Sequence, residues 1–223
     1  MVLGYLYVLA SIIFANESWR LFKCPKEAGR KLLHVLVGNL VFLIPLFENW
    51  FSPVLIAAPF IPFTFLASPY SPFKLKIFDR IGLRDLSSRG HGLGLVYYSF
   101  AYTLLAGLFF HKPHVAASGI IPMTFGDGFA ALIGSRYGFR RYKLLSERSL
   151  EGSFVFFVSS FLGFSLFMSF LSTLQTYPLN QGFILGLLVA VTGTLIEAFT
   201  PKGFDNLTVP FICVLAVKAF GEW

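Results

Sequence analysis

Between Gly126 and Ser153 the chain reads GDGFAALIGSRYGFRRYKLLSERSLEGS. This stretch holds five glycines and five basic residues, with Asp127 near one end and Glu151 near the other. Apolar runs flank it on both sides. A structural loop does not need that inventory, whereas a site holding a nucleoside triphosphate and its metal at a membrane surface does. Asp127 follows the run GIIPMTF, a depth at which a carboxylate is costly and rarely accidental. Gly126 and Gly128 let a backbone or a phosphate come close. Arg136, Arg140, Arg141, Lys143 and Arg148, set among Gly134 and Gly138, offer cations on flexible backbone to a polyphosphate. Ser149 is a fair helix N-cap ahead of Gly152, and a helix N-terminus attracts phosphate. Glu151 in the first turn complements the helix dipole, or holds Mg²⁺ opposite Asp127. Mg²⁺ in phosphoryl-transfer sites takes one or two carboxylates plus phosphate oxygens. The small residues Ala130, Ala131 and Gly134 also read as a close helix-packing face.

Other polar residues break apolar runs elsewhere. Glu197 falls near the end of one run, and Asp205 and Asn206 open the next. His34 and Asn39 follow Arg30 and Lys31, and Arg89 starts a glycine-rich turn that contains His91. Glu197, Asp205, Asp127 and Glu151 are expected to converge on one membrane face. His34 shares that face, and Arg30, Lys31, Asn39, Arg89, Glu197 and Asn206 are candidates for substrate contact or support of the acids. His111 and His114 fall on the opposite side and receive no role.

The elements that must position these residues follow from composition. The chain has 223 residues, 56% hydrophobic and 13% charged, with a mean hydropathy of +0.71. A soluble domain of this size cannot hide so much apolar surface in one core. The reading is one domain over 1–223, an all-α polytopic transmembrane bundle. Spanning needs about 20 mostly apolar residues. Eight segments qualify or nearly do: 1–16, 32–47, 50–67, 92–110, 114–134, 153–173, 181–199 and 206–221. Seven spans, with the third or eighth segment re-entrant, is the alternative.

Eight spans place 16 of the 18 Lys and Arg in loops on one side. By the positive-inside rule that side is cytoplasmic, both termini are outside, and the acids and basic loops form a nucleotide site on the cytoplasmic face. The net charge of +7 therefore reads as topology, with the lipid bilayer and phosphates as partners and no nucleic acid. In the 3–4 loop, Phe73, Ile77 and Ile81 share a stripe opposite Lys76, Arg80 and Arg84, the pattern of a short interfacial helix. Cys24 and Cys213 have no metal-like or disulfide-framework spacing.

Several of these motifs occur together in a known family. Arg30-Lys31 with His34, Gly38 and Asn39; Gly126-Asp127-Gly128 with Ala130, Ala131 and Gly134; Ser149 with Glu151-Gly152; Glu197; and Asp205-Asn206 leading to Pro210 resemble the polyprenol kinase family. That family includes the phytol, farnesol and dolichol kinases and CTP-dependent diacylglycerol kinases, and the likeness is strongest to the phytol kinase branch. It runs from about residue 27 to 215. The resemblance implies a membrane kinase that moves the γ-phosphate of a nucleoside triphosphate, typically CTP, to the hydroxyl of a lipid alcohol such as phytol, geranylgeraniol or another polyprenol. Asp127 and Glu151 would hold Mg²⁺, and Asp205 or Asp127 would orient or deprotonate the alcohol. The chain departs from the family in having Arg148 where Lys is common, Leu150 where the phytol branch often has Trp, and His91 in its glycine-rich turn. The rivals are a phosphatidate cytidylyltransferase-like enzyme making a CDP-lipid and, outside enzymes, a transporter.

Overall fold

Each apolar stretch of the sequence folds into helix. In the computed structural model the described residues are 2–22, 26–81, 83–84, 92–175, 177–201 and 203–221. Arg89, His91, Cys24 and Lys202 lie outside them. Helix α1 spans Val2–Phe22 and α2 spans Lys26–Gly38, running on into a 3₁₀ segment, Asn39–Leu46. The third stretch divides into α3 (Phe51–Ala57) and α4 (Phe60–Ala67). The break falls at Pro59, which with Pro62 removes two donors from the helical ladder. Then come α5 (Lys76–Arg80), α6 (Gly94–Leu108) and α7 (Pro113–Ile121). A π-helical turn, Pro122–Gly126, links α7 to α8 (Asp127–Tyr137). Strands β1 (Arg141–Lys143) and β2 (Glu147–Ser149) precede α9 (Leu150–Leu174), α10 (Leu179–Ala198) and α11 (Asp205–Gly221).

Among the described residues, four stretches are long and apolar enough to cross a membrane: Gly29–Leu46, Pro113–Tyr137, Leu150–Leu174 and Leu179–Ala198. Val2–Ser18, Phe51–Ala67 and Gly94–Leu108 are apolar but shorter. The outward faces are as apolar as the inward ones. Helix α9 buries Phe156, Phe164 and Phe167 while exposing Phe154, Leu162 and Leu166, an all-round apolar surface that suits lipid rather than water.

Two large apolar clusters, and a small one of Ala130, Phe156, Val209 and Cys213, make the interior of the described residues. One joins α6, α7, α9, α10 and α11 around Leu105, Ile120, Phe164 and Phe167. The other joins α1, α2, α4, α5 and α6 around Ile12, Leu33, Phe78 and Leu95. Val37 and Leu40 of the α2 region pack against both. Glycines set the closest approaches. A Cβ on Gly128 would lie 2.4 Å from Val35, and one on Gly38 would lie 2.0 Å from Thr124, so α2 rides directly on α8 and the π turn. The Cβ of a residue replacing Gly134 would meet the Gly152 Cα at 3.2 Å, which locks α8 to α9.

The all-α reading holds in its coarse form, with one short two-stranded antiparallel hairpin that sets Arg141 opposite Ser149 and Lys143 opposite Glu147. Two other expectations change. The backbone expected to be flexible after Gly134 is instead the last turn of α8 and this hairpin. The interfacial helix is only five residues long, too short for a three-turn stripe. Phe78 is its buried anchor, edge-on to Phe63 at 4.9 Å, while Phe73 and Ile77 are exposed.

Candidate functional site

Asp127 opens α8 just after the π turn that begins at Pro122. Such turns widen a helix locally and recur at functional sites. The carboxylate is 2% exposed. Lys31 Nζ of α2 donates to its Oδ2, and His34 Nδ1, one turn further along α2, lies 4.0 Å from the same oxygen. The glycine contacts of α2 with α8 bring these side chains together. Helix α8 runs for 11 residues beginning with Asp127, so the acid falls inside the apolar stretch Pro113–Tyr137.

A second buried group adjoins the first. Arg148 of β2 bridges two helix ends: its Nη1 is 2.7 Å from Glu197 Oε1 at the close of α10, and its Nη2 is 3.2 Å from Asp205 Oδ2 at the start of α11. Burial pulls the Arg148 pKa down, but the carboxylates of Glu197, Asp205 and Asp127 more than offset this and hold it above its usual value. Arg148 and Arg30 both act electrostatically on Asp127. Asp205 Oδ1 accepts from the Asn206 amide at 3.0 Å, and Asn206 Nδ2 donates to the Gly94 carbonyl at 3.3 Å. Arg30 lies across the bare backbone of Gly94, where an added Cβ would stand 2.6 Å from Nη1. Lys31, Arg30 and Arg148 thus meet Asp127, Glu197 and Asp205 in one buried network.

This network has spare capacity. Among the described residues, Arg30 Nη1, Arg148 Nε, Asn206 Oδ1 and both ring nitrogens of His34 are buried without a hydrogen-bond partner. Orphaned guanidinium donors are expensive to bury. An anionic ligand with several oxygens satisfies them, and Asn206 Oδ1 with the neighbouring carboxylates supplies hard oxygens of the kind Mg²⁺ takes. No group of three or more His, Cys, Asp or Glu among the described residues is arranged to hold a metal unaided.

The other candidates make no bond to this network; they lie at the hairpin, in helix contacts or on exposed faces. Glu151 accepts from the Arg140 backbone amide at 3.2 and 3.3 Å, so its carboxylate fastens the hairpin base. Ser149 caps α9 by accepting from the Gly152 amide at 3.1 Å, as its sequence position indicates. Its Oγ would stand 2.6 Å from a Cβ added at Gly138. Gly126 faces Phe156 and Ser160, and Gly128, Gly134 and Gly152 serve helix contacts. Arg136 lies over the Tyr137 ring, Arg141 pairs with Glu147 at 2.8 Å, and Arg140 and Lys143 are exposed. Asn39 is exposed and bonds back to the Val35 carbonyl at 2.9 Å.

One supporting residue escaped the sequence reading. Tyr98 of α6 donates to the His34 carbonyl at 2.9 Å, lies 2.9 Å from Thr124 Oγ1 in the π turn, and packs its ring at a tilt of 36° against His34, centroids 4.3 Å apart. The available signal was a tyrosine in an apolar helix, whose hydroxyl must find a partner once buried.

Comparison of the sequence with known proteins finds relatives of one kind. The chain is 34% identical over 210 residues to the phytol kinase of Synechocystis sp., covering 92% of this chain and 84% of that protein. It is 31% identical over 213 residues to a probable chloroplastic phytol kinase of Triticum aestivum, covering 88% and 69%. It is 30% identical over 197 residues to probable phytol kinase 2, chloroplastic, of Glycine max, covering 85% and 64%. No family model and no solved structure matches it.

Proposed function

The chain belongs to the phytol kinase family, and on that premise we propose that it is a multi-pass membrane kinase moving the γ-phosphate of CTP to the hydroxyl of phytol or a related isoprenoid alcohol. The observation that carries this reading is the buried network of Lys31, Asp127, Arg148, Glu197 and Asp205, with guanidinium donors of Arg30 and Arg148 left over. Ion pairs buried against apolar helices cost more than they return unless a function needs them. Leftover donors ask for an anion. The short basic loops favour the cytoplasmic face for the site.

In the proposed transfer the alcohol oxygen forms a bond to the γ-phosphorus as the bond from that phosphorus to its bridging oxygen breaks, and the nucleoside diphosphate leaves. The alcohol proton passes to Asp127 or Asp205. Arg148 and Arg30 bind phosphate oxygens and offset charge in the transition state. Mg²⁺ on the triphosphate would supply further charge stabilisation, held by Asp127 with Asp205 and Asn206; Glu151 would join only on releasing the Arg140 amide. The exposed cations Arg136, Arg140, Arg141 and Lys143 draw the triphosphate toward the face.

Purified protein in detergent with Mg²⁺ and γ-labelled CTP tests this. Phytol, geranylgeraniol, farnesol and diacylglycerol are offered in separate tubes. Label entering the organic phase with an isoprenoid alcohol supports the kinase. Transfer only from α-labelled CTP onto a phospholipid would overturn it in favour of a CDP-lipid synthase.

A further inference from the structure

His34 belongs to two places at once. Its Nδ1 lies 4.0 Å from Asp127, and its ring also lines an apolar cavity between α1, α2, α3, α4 and α6. Val8, Ile12, Leu33, Ile56, Phe60 and Leu95 make most of the wall. The cavity measures ≈ 50 Å³, and the empty space among its walls reaches ≈ 550 Å³ when the open side is included.

The polar groups of this cavity are nearly all taken. Thr64 donates to the Phe60 carbonyl at 2.6 Å, Ser99 to the Leu95 carbonyl at 2.9 Å, and Tyr98 to the His34 carbonyl at 2.9 Å. Among the lining residues, only His34, at both ring nitrogens, and Tyr102, at its hydroxyl, hold buried side-chain atoms without a partner. The imidazole brings one donor and one acceptor, the Tyr102 hydroxyl serves as either, and the remaining wall is mostly hydrocarbon. A hydroxyl, which both donates and accepts, matches the polar pair. Water would satisfy the pair but leave the apolar remainder empty, whereas an alcohol with a branched hydrocarbon chain fills both. A diacylglycerol fits less well, because its two ester carbonyls need more donors than these walls hold free.

We infer that this cavity is the acceptor site: His34 and Tyr102 receive the hydroxyl of an isoprenoid alcohol, and the α1, α3, α4 and α6 walls receive the first part of its chain. This rests on the kinase reading and makes it specific. The alcohol enters from the open side, its hydroxyl stops beside His34, and the same imidazole borders Asp127 in the phosphoryl-transfer network. One side chain thereby joins a hydrocarbon compartment to a charged one.

A photoreactive geranylgeraniol carrying a diazirine on its chain, irradiated with the purified protein without nucleotide, reads the site directly. Labelled peptides are expected from residues 8–12, 33–40, 56–64 and 95–102, with the label competed by excess phytol. Ala57→Trp, which fills the cavity, is expected to abolish that label and raise the KM for the alcohol about tenfold or more, with the KM for CTP unchanged. Ser99→Leu narrows the cavity from α6 and serves if Ala57→Trp does not fold. His34→Phe and Tyr102→Phe are each expected to raise the alcohol KM with the CTP KM unchanged. Label confined to other helices, or an unchanged alcohol KM in folded Ala57→Trp, overturns the assignment. Competed cavity labelling in a protein that phosphorylates no alcohol would keep the binding site and remove the kinase reading.

Discussion

Two arginine–glutamate bridges in this molecule are almost the same length and differ in nearly everything else. Arg148 meets Glu197 at 2.7 Å, and Arg141 meets Glu147 at 2.8 Å. The first pair has side chains 13% and 4% exposed; the second, 63% and 53%. Arg141 and Arg148 belong to one hairpin and one basic stretch of sequence. The hairpin turns one of them inward among helix ends and leaves the other at the surface. In water the Coulomb gain is screened and the pair is worth little. Among helix ends in an apolar bundle each charge depends on its partner, and removing one strands the other. Charge content does not distinguish a site from a surface; burial with spare hydrogen-bonding capacity does.

The sharpest way to break the contrast is at its buried extreme. Asp127→Asn keeps the shape and removes the charge that Lys31 neutralises. CTP-dependent transfer to phytol is expected to fall about 10³-fold, the order seen when a preorganised electrostatic group is lost. Activity within tenfold of the parent would remove Asp127 from the chemistry. Arg148→Ala comes next. It strands Glu197 and Asp205 together, and a loss of about 3–5 kcal/mol is expected in unfolding followed in detergent. Met at the same position, restoring apolar volume without charge, should recover little while Glu197 remains. Adding Glu197→Gln to Arg148→Met should recover part of the loss. Gly134→Val follows, because its side chain would push against the Gly152 backbone. About 1–3 kcal/mol is expected from such overpacking, with the KM for CTP changed less than stability. A large KM effect with unchanged stability would return Gly134 to the nucleotide site.

Much of this contrast was legible in the sequence, for reasons that can be named. Helices were readable because apolar runs of spanning length have few other ways to satisfy their backbone. Asp127, Glu197 and Asp205 stood out because each interrupts or borders such a run. The Ser149 cap was readable from local chemistry alone. The division between Arg148 and its neighbours was not, because it depends on strand pairing within a nine-residue hairpin of ordinary composition. The bond from the Arg140 amide to Glu151 was not legible for the same reason: the hairpin places that amide. Gly128, Gly134 and Gly152 look alike whether they admit phosphate or another helix. Lys31 as the direct partner of Asp127 requires α2 to lie on α8, a contact 96 residues apart in the chain. Tyr98 and Tyr102 looked like any aromatic residues of an apolar helix.

The smallest effect tests the exposed end of the contrast. Removing Arg140, Arg141 and Lys143 together by alanine takes three charges from the surface hairpin and leaves Arg148 in place. The Arg141–Glu147 bridge contributes less than about 1 kcal/mol, so the unfolding midpoint should barely move. The kcat should hold, because none of these side chains belongs to the buried network. What they supply is a positive field near the entrance for a triphosphate. The KM for CTP should rise roughly threefold at low salt, and the difference should fade as ionic strength shortens the screening length toward about 3 Å at 1 M. A salt-independent fall in kcat would mean that these cations reach the phosphates during transfer. The hairpin would then close over the nucleotide, and the division between the two arginine–glutamate bridges would describe only the ligand-free enzyme.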